Sequence, residues 1–213
     1  MKYSTSPIEI RTADESDLDA CLQIDDSYAS NHTWQVEPVR GEPGAAPYTI
    51  SSHVMLGDNP LSVTFRPVRL PRARRVAGTI ATLVREGNEM AIQQRLRGWT
   101  SADLTMVAAQ DAHICGYIVV SIVPGPGIGW ISALVVDAPL RERGIGSMLL
   151  TAARRWARYN QGQNMRAFML ELQTRNYPAV AFCRKQGFVF CGYTDYSFSN
   201  GDVVLLFASP IVI

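Results

Sequence analysis

Lysine is almost missing from this 213-residue chain: of its 20 basic residues only Lys2 and Lys185 are lysines. A Walker-type phosphate loop needs a lysine after its second glycine, and no lysine lies near the one glycine-rich helix start, so that loop is excluded. Cysteine is sparse too. Cys21, Cys115, Cys183 and Cys191 form no Cys-x-x-Cys pair, which argues against structural zinc and for reduced thiols in a cytoplasm. The three histidines, His32, His53 and His113, have neither ligand spacing nor a partner nucleophile, so no metal site and no triad is expected. No apolar run is long enough to span a bilayer, and Met1 to Ile8 lacks a signal-peptide stretch, so a cytoplasmic protein with no membrane partner is expected. Net charge is only +1, which gives no reason to expect nucleic acid. Arg66, Arg69, Arg72, Arg74 and Arg75 do gather, but they alternate with apolar residues as the solvated face of a strand does. Repeats, low-complexity tracts and interdomain linkers are absent from the sequence as well.

What is present is core-forming material. Hydrophobic residues make up 47% of the chain and charged ones 18%, enough for one large domain over 1–213. Ile8 to Arg11 reads as a strand and Asp14 to Ile24 as a helix, with Thr12 or Asp14 as its cap. Thr33 to Val36 and Leu61 to Leu70 have strand character, and Pro38 to Pro60, rich in Gly, Pro, Ser and Asn, reads as a long loop. Glu86 to Trp99 is helical in pattern. Leu104 to Ala109 and Ile114 to Ile122 are apolar strands joined by a hairpin connection. Trp130 to Val136 is a strand, and Ile145, Met148, Leu149, Ala152 and Trp156 repeat at the three-and-four spacing of a helix. Met165 to Leu172 reads as a buried strand, Pro178 to Gln186 as a helix, and Val189 to Tyr193 with Val203 to Ala208 as a closing hairpin.

The segment Val135-Val136-Asp137-Ala138-Pro139-Leu140-Arg141-Glu142-Arg143-Gly144-Ile145-Gly146-Ser147 carries the most chemistry. A β-branched strand runs into a short turn, and a helix starts directly on two glycines. Helix N-termini expose unpaired N–H groups and the positive end of the dipole, so they bind phosphate. Glycines let the backbone approach an anion with no Cβ in the way, and Arg141 and Arg143 add charge at the same mouth. A dinucleotide fingerprint would need a third glycine where Leu149 stands. The plain alternative is a strand–turn–helix whose glycines serve only tight packing.

A second segment lies one helix and one strand later. Leu170-Glu171-Leu172-Gln173-Thr174-Arg175-Asn176 is followed by Ala179, Ala181-Phe182 and Gly187-Phe188. Together, Arg141-x-x-Gly144-x-Gly146 and this later Asn-to-Gly-Phe pattern resemble the GNAT family of N-acetyltransferases. Tyr28, Trp34 and the closing Phe190-Cys191-Gly192-Tyr193 further resemble its streptothricin (nourseothricin) acetyltransferase branch. The resemblance implies an α/β GNAT fold over about Ile8 to Ala208, a mixed central sheet splayed between two parallel strands and flanked by helices. Residues 38–99 would be an enlarged, variable acceptor-side region.

The resemblance also implies a reaction: direct transfer of an acetyl group from acetyl-CoA to a primary amine in a ternary complex. Leu134 and Val136 would pair with the pantetheine arm, and the N–H of Leu134 or Val135 would meet the oxyanion. The amides of Arg143, Gly144, Ile145, Gly146 and Ser147, flanked by the Arg141 and Arg143 side chains, would hold the pyrophosphate, and Asn176 would bond the pantetheine. Asp25, Asp26, Tyr28 and Trp34 are the acceptor-binding candidates, with a solvated helix end as the plain reading of the two aspartates. Many relatives carry a tyrosine where this chain has Cys183, so the leaving-group acid is Cys183, Tyr193, Tyr196 or water. Ser132 and Ala133 stand where a carboxylate is common, which leaves Glu171 as the best-placed base or a structural hydrogen-bonding group. The implied partners are acetyl-CoA and the amine, with a homodimer left open. A CoA-binding sensor or scaffold on the same fold is the competing function.

Overall fold

The computed structural model describes residues 6–38, 63–76, 89–125, 127–159, 165–194 and 203–211. Nine strands are described: β1 (Glu9–Thr12), β2 (Tyr28–Pro38), β3 (Val63–Val76), β4 (Leu104–Gln110), β5 (His113–Val123), β6 (Ile128–Val136), β7 (Ala167–Gln173), β8 (Val189–Thr194) and β9 (Val204–Pro210). The helices are α1 (Leu18–Leu22), α2 (Glu89–Thr100), α3 (Ile145–Tyr159) and α4 (Tyr177–Lys185). Seven strands form one sheet in the order β1-β4-β5-β6-β7-β9-β8, and β2 pairs with β3 as a separate two-stranded arm. All pairings in the large sheet are antiparallel except β6 with β7.

Helices cover both faces of the sheet. On one face Leu149, Leu150 and Ala153 of α3 and Val180 and Cys183 of α4 pack against Ile118, Ile131, Phe168, Leu170, Leu205 and Phe207. On the other, Cys21 of α1, Ile24 and Trp99 of α2 cover Val107, Tyr117 and Val119. The Trp99 and Tyr117 rings meet edge-on at 4.5 Å, a preferred aromatic geometry.

Among the described residues the expected elements are there, with two changes of kind, and the first residues of the helix expected from Glu86 fall outside them. The first expected helix begins as a 3-10 turn over Glu15–Asp17, and only Leu18–Leu22 is α-helical. Asp14 caps that turn through the Ser16 N–H while the Asp17 carboxylate accepts from the Asp14 N–H at 2.9 Å. Asp17 is buried and also takes two hydrogen bonds from Arg11, at 2.6 and 2.7 Å. The closing hairpin folds back so that β9 lies between β7 and β8. β2 and β3 run longer than their apolar patterns, and the loop expected over 38–60 falls, beyond Pro38, outside the described residues.

β6 contains a bulge. Val119 of β5 pairs with Ala133, but Val120 pairs with Ile131, so Ser132 has no partner across the ladder. An extra residue shifts the phase of the strand by one and bends it. The phase shift is visible in the burial. Ile131 belongs to the α3–α4 core and Leu134 and Val136 pack against that same core, while Ala133 and Val135 pack on the α1–α2 side. An unbulged strand would have put Ile131, Ala133 and Val135 on one face.

Candidate active site

Two parallel strands separate at the bulge. β6 pairs with β7 through Ile128↔Ala167, Gly129↔Phe168 and Trp130↔Met169, and no further pairing between them occurs among the described residues. Each strand nonetheless continues, β6 along β5 to Val136 and β7 along β9 to Gln173. The result is a wedge that opens toward the C-terminal ends of both strands.

Backbone directions along β6 follow from its last contacts. The Asp137 N–H donates to the Cys115 carbonyl at 2.9 Å, and the Val135 carbonyl lies against Gly116, where a Cβ would come within 2.6 Å of it. Alternation therefore turns the N–H and C=O of Leu134 and Val136 away from β5 and toward the wedge. Val135 faces β5. Of the two amides expected at an oxyanion, Leu134 is the one turned to the wedge.

The glycine loop follows at the mouth of that wedge. Glu142 and Gly144 have positive φ, 63° and 85°. Gly144 adopts its conformation without the penalty that a side chain would bring. Met148 closes the first helical bond to the Gly144 carbonyl at 3.0 Å, so the amides of Ile145, Gly146 and Ser147 precede the intrahelical ladder and face outward. Gly146 sits against α4, where a Cβ would come 3.3 Å from Phe182 Cζ. Ser147 Oγ accepts from Gln186 Nε2 at 3.0 Å, which joins the start of α3 to the end of α4.

Arg141 and Arg143 differ in what they hold. Arg141 donates through Nε to the Val136 carbonyl (2.9 Å), through Nη1 to the Ser27 carbonyl (2.5 Å) and through Nη2 to the Asp25 carbonyl (2.9 Å). It is half-buried, whereas Arg143 is exposed at the helix start.

At the other strand end, Asn176 caps α4, its Oδ1 accepting from the Ala179 N–H at 3.2 Å. The Thr174 carbonyl accepts from the Trp34 N–H at 2.9 Å and from Thr33 Oγ1 at 3.2 Å. Trp34 is buried. Its ring stacks on Tyr177 at 5.5 Å, His32 meets the same tyrosine at 5.0 Å, and the Arg184 guanidinium lies over Trp34 at 5.4 Å. The expected acceptor residue Trp34 is thus an anchor of the arm. The Asp25 carboxylate accepts from the Ser27 N–H at 3.0 Å, a local turn, with Asp26 and Tyr28 half-buried beside it.

The catalytic candidates lie apart from one another. Phe168 and Leu170 point into the α3–α4 core, so Glu171 points to the opposite face and is exposed there, on the side of Ala133 and Val135. Cys183 is inside the α3–α4 core, and burial pushes its thiol up to about 12. Tyr193 pairs with Leu205, a core residue, so it shares the α3–α4 face. It therefore stands across the sheet from Glu171, with β9 between its strand and the wedge. Tyr196 falls outside the described residues. Sequence reasoning missed the Arg141 contacts, the Ser132 bulge and the His32–Tyr177–Trp34 stack, for none of which a motif exists.

A sheet that parts between two parallel strands beside a glycine-started helix is the arrangement that the acetyltransferase resemblance implies. The chain belongs to the GNAT family: the family model described as "Acetyltransferase (GNAT) family" matches residues 77–188. Among solved structures, nourseothricin acetyltransferase superposes with a TM-score of 0.70 at 20% identity, over 96% of this chain and 99% of that one. A Bacillus anthracis protein assigned as a streptothricin acetyltransferase, solved with acetyl coenzyme A, gives 0.68 at 20% identity over 97% and 99%. An aminoglycoside 6'-N-acetyltransferase complexed with coenzyme A gives 0.52 at 13% identity over 62% and 87%. At these identities the likeness is one of fold. No curated protein matches by sequence. Among the described residues no helix is long and apolar enough to cross a membrane.

Proposed function

We propose that this acetyltransferase moves the acetyl group of acetyl-CoA directly to a primary amine, both substrates being bound together in the cytoplasm. The wedge carries the reading: β6 and β7 part after Trp130↔Met169, with three unpaired helix amides beside the opening. A pantetheine arm fits there as an added strand, pairing with the backbone of Leu134 and the N–H of Val136, whose carbonyl already accepts from Arg141. The pyrophosphate takes the amides of Ile145, Gly146 and Ser147 and the charge of Arg143. With Oδ1 engaged in its cap, Asn176 has Nδ2 to offer a pantetheine carbonyl.

The amine approaches on the α1–α2 face, near Glu171, with Asp26 and Tyr28 on the segment beside it. Glu171 removes the ammonium proton, the freed nitrogen attacks the thioester carbon, and the Leu134 N–H stabilises the developing oxyanion. The nitrogen of the tetrahedral adduct gives up its second proton to water, the C–S bond breaks as the oxyanion collapses, and the thiolate takes its proton from water. Cys183 is too deeply packed to supply that proton, and Tyr193 stands across the sheet. Among the described residues, which do not include Tyr196, no acid for the thiolate stands at the wedge, and that favours a second reading, a CoA-binding sensor without efficient turnover. Calorimetry with acetyl-CoA tests the site, and thiol release over an amine panel that includes streptothricin tests the transfer. Tight binding without turnover on any amine would favour the sensor, and no binding would remove both readings.

A further inference from the structure

The segment 25–34 crosses from one face of the sheet to the other. Ile24, just before it, is buried in the α1–α2 core, and Trp34, at its end, is buried in the α3–α4 core. The crossing is tied down twice. At the first end, Arg141 grips the Asp25 and Ser27 carbonyls and, with its third donor, the Val136 carbonyl at the tip of β6. At the second end, Trp34 N–H and Thr33 Oγ1 both reach Thr174 at the tip of β7. The two strand tips are the two sides of the wedge mouth, so the segment is a strap stretched across it.

We propose that Arg141 is a positioning residue for acceptor binding: it holds the strap over the wedge and does not ligate the cofactor phosphates. This rests on the acetyltransferase reading of the site. Three planar donors are each matched to a carbonyl at hydrogen-bonding distance, and a guanidinium used this way is oriented inward, away from an anion at the helix start. The carbonyls belong to backbone, so no substitution on the strap can replace the grip. The Asp25 carboxylate stiffens the same turn through Ser27 N–H.

Arg141→Gln and Arg141→Lys variants, checked for folding by thermal unfolding, separate the two roles. Amide exchange at Ser27 to Ala29 is expected to rise tenfold or more, and acetyl-CoA affinity to stay within threefold by calorimetry. With streptothricin as the probe acceptor, its KM should rise at least tenfold while the KM for acetyl-CoA holds. Asp25→Ala should repeat the exchange effect, and Asp25→Asn, which keeps the turn acceptor, should not. Arg143→Gln should do the reverse, weakening acetyl-CoA about tenfold with strap exchange unchanged. A tenfold loss of acetyl-CoA affinity in the Arg141 variants, with or without faster exchange, would return Arg141 to the phosphate and overturn the proposal. Failure of the wild-type protein to bind acetyl-CoA would instead overturn the reading of the site, and the exchange measurement would still decide whether Arg141 holds the strap.

Discussion

Along β6, the glycine loop and the first turn of α3, the groups proposed to meet a ligand are backbone amides. Along the strap and on β7 the proposed groups are side chains: Asp26, Tyr28 and Glu171. The difference decides how each region relates to sequence. A backbone site constrains conformation, so it demands glycine at the positive φ of Gly144 and at the close approach of Gly146 to Phe182. A side-chain site constrains only the final position of a functional group, which many unrelated sequences can supply. The first kind of site leaves a motif. The second leaves scattered residues.

Substitutions can break that comparison or sharpen it. The largest effect is expected in the side-chain half, where one residue anchors the whole arm. Trp34→Ala removes a buried ring stacked on Tyr177 and should cost about 3–5 kcal/mol in urea unfolding. A cost below 1 kcal/mol would mean that the arm is held by β2–β3 pairing and backbone bonds alone. In the backbone half, Gly144→Val forces a β-branched residue to a φ of 85° and should weaken acetyl-CoA by about 100-fold or more, about 2.7 kcal/mol. Native affinity in a folded variant would return the glycine to plain packing.

Glu171→Gln should lower kcat by about 10²-fold with acetyl-CoA affinity unchanged. An unaltered kcat would make Glu171 an ordinary exposed strand residue. A smaller effect is expected far from the chemistry, at the Arg11–Asp17 pair. The Arg11 guanidinium holds the Asp17 carboxyl below the usual carboxylate range. A depressed folded pKa gives stability that is present above the unfolded value near ~3.9 and lost as pH falls through the lower folded value. Asp17→Asn should therefore cost about 1–2 kcal/mol at pH 7, discounted because Arg11 is partly exposed. That cost should shrink below about pH 4. A pH-independent difference would assign the whole effect to the cap. The smallest effect is expected at Cys183. Its thiol lies inside the α3–α4 core and is pushed up to about 12 by burial, which makes it a poor proton donor to another thiolate, so Cys183→Ala should change turnover per folded molecule less than about twofold while lowering stability. A rate loss of about 10²-fold would restore it as the acid.

Legibility followed the same division. β-Branched runs and three-and-four spacing marked β4 to β6, α3, β7 and α4 to within a few residues, because those elements bury one face each. The turn that starts α3 was legible through its glycines. The order β7-β9-β8 was not, since strand insertion is decided by contacts distant in sequence. The grip of Arg141 on three carbonyls was equally hidden: an arginine beside a glycine loop looks the same in sequence whether it faces an anion or backbone. Trp34 and Tyr28 looked alike as aromatics near one mouth, and only packing separates the buried anchor from its half-buried neighbour. Asp14 was readable as a cap, but the tight turn it starts depends on Asp17 answering Arg11 from the first strand.

The unpaired Ser132 gives β6 something like a reading frame. Upstream of it, one parity of residue number presents its amides to β7; downstream, the other parity does. Leu134 and Val136 point their hydrogen-bonding edge into the wedge only because one residue was slipped in ahead of them. Deleting Ser132 would remove no functional group from the site, yet it would turn the Leu134 and Val136 amides toward β5 and exchange the two cores' claims on the strand. An alignment gap of one position here would thus outweigh most substitutions, and insertions or deletions between Ile131 and Val136 are the changes this strand tolerates least.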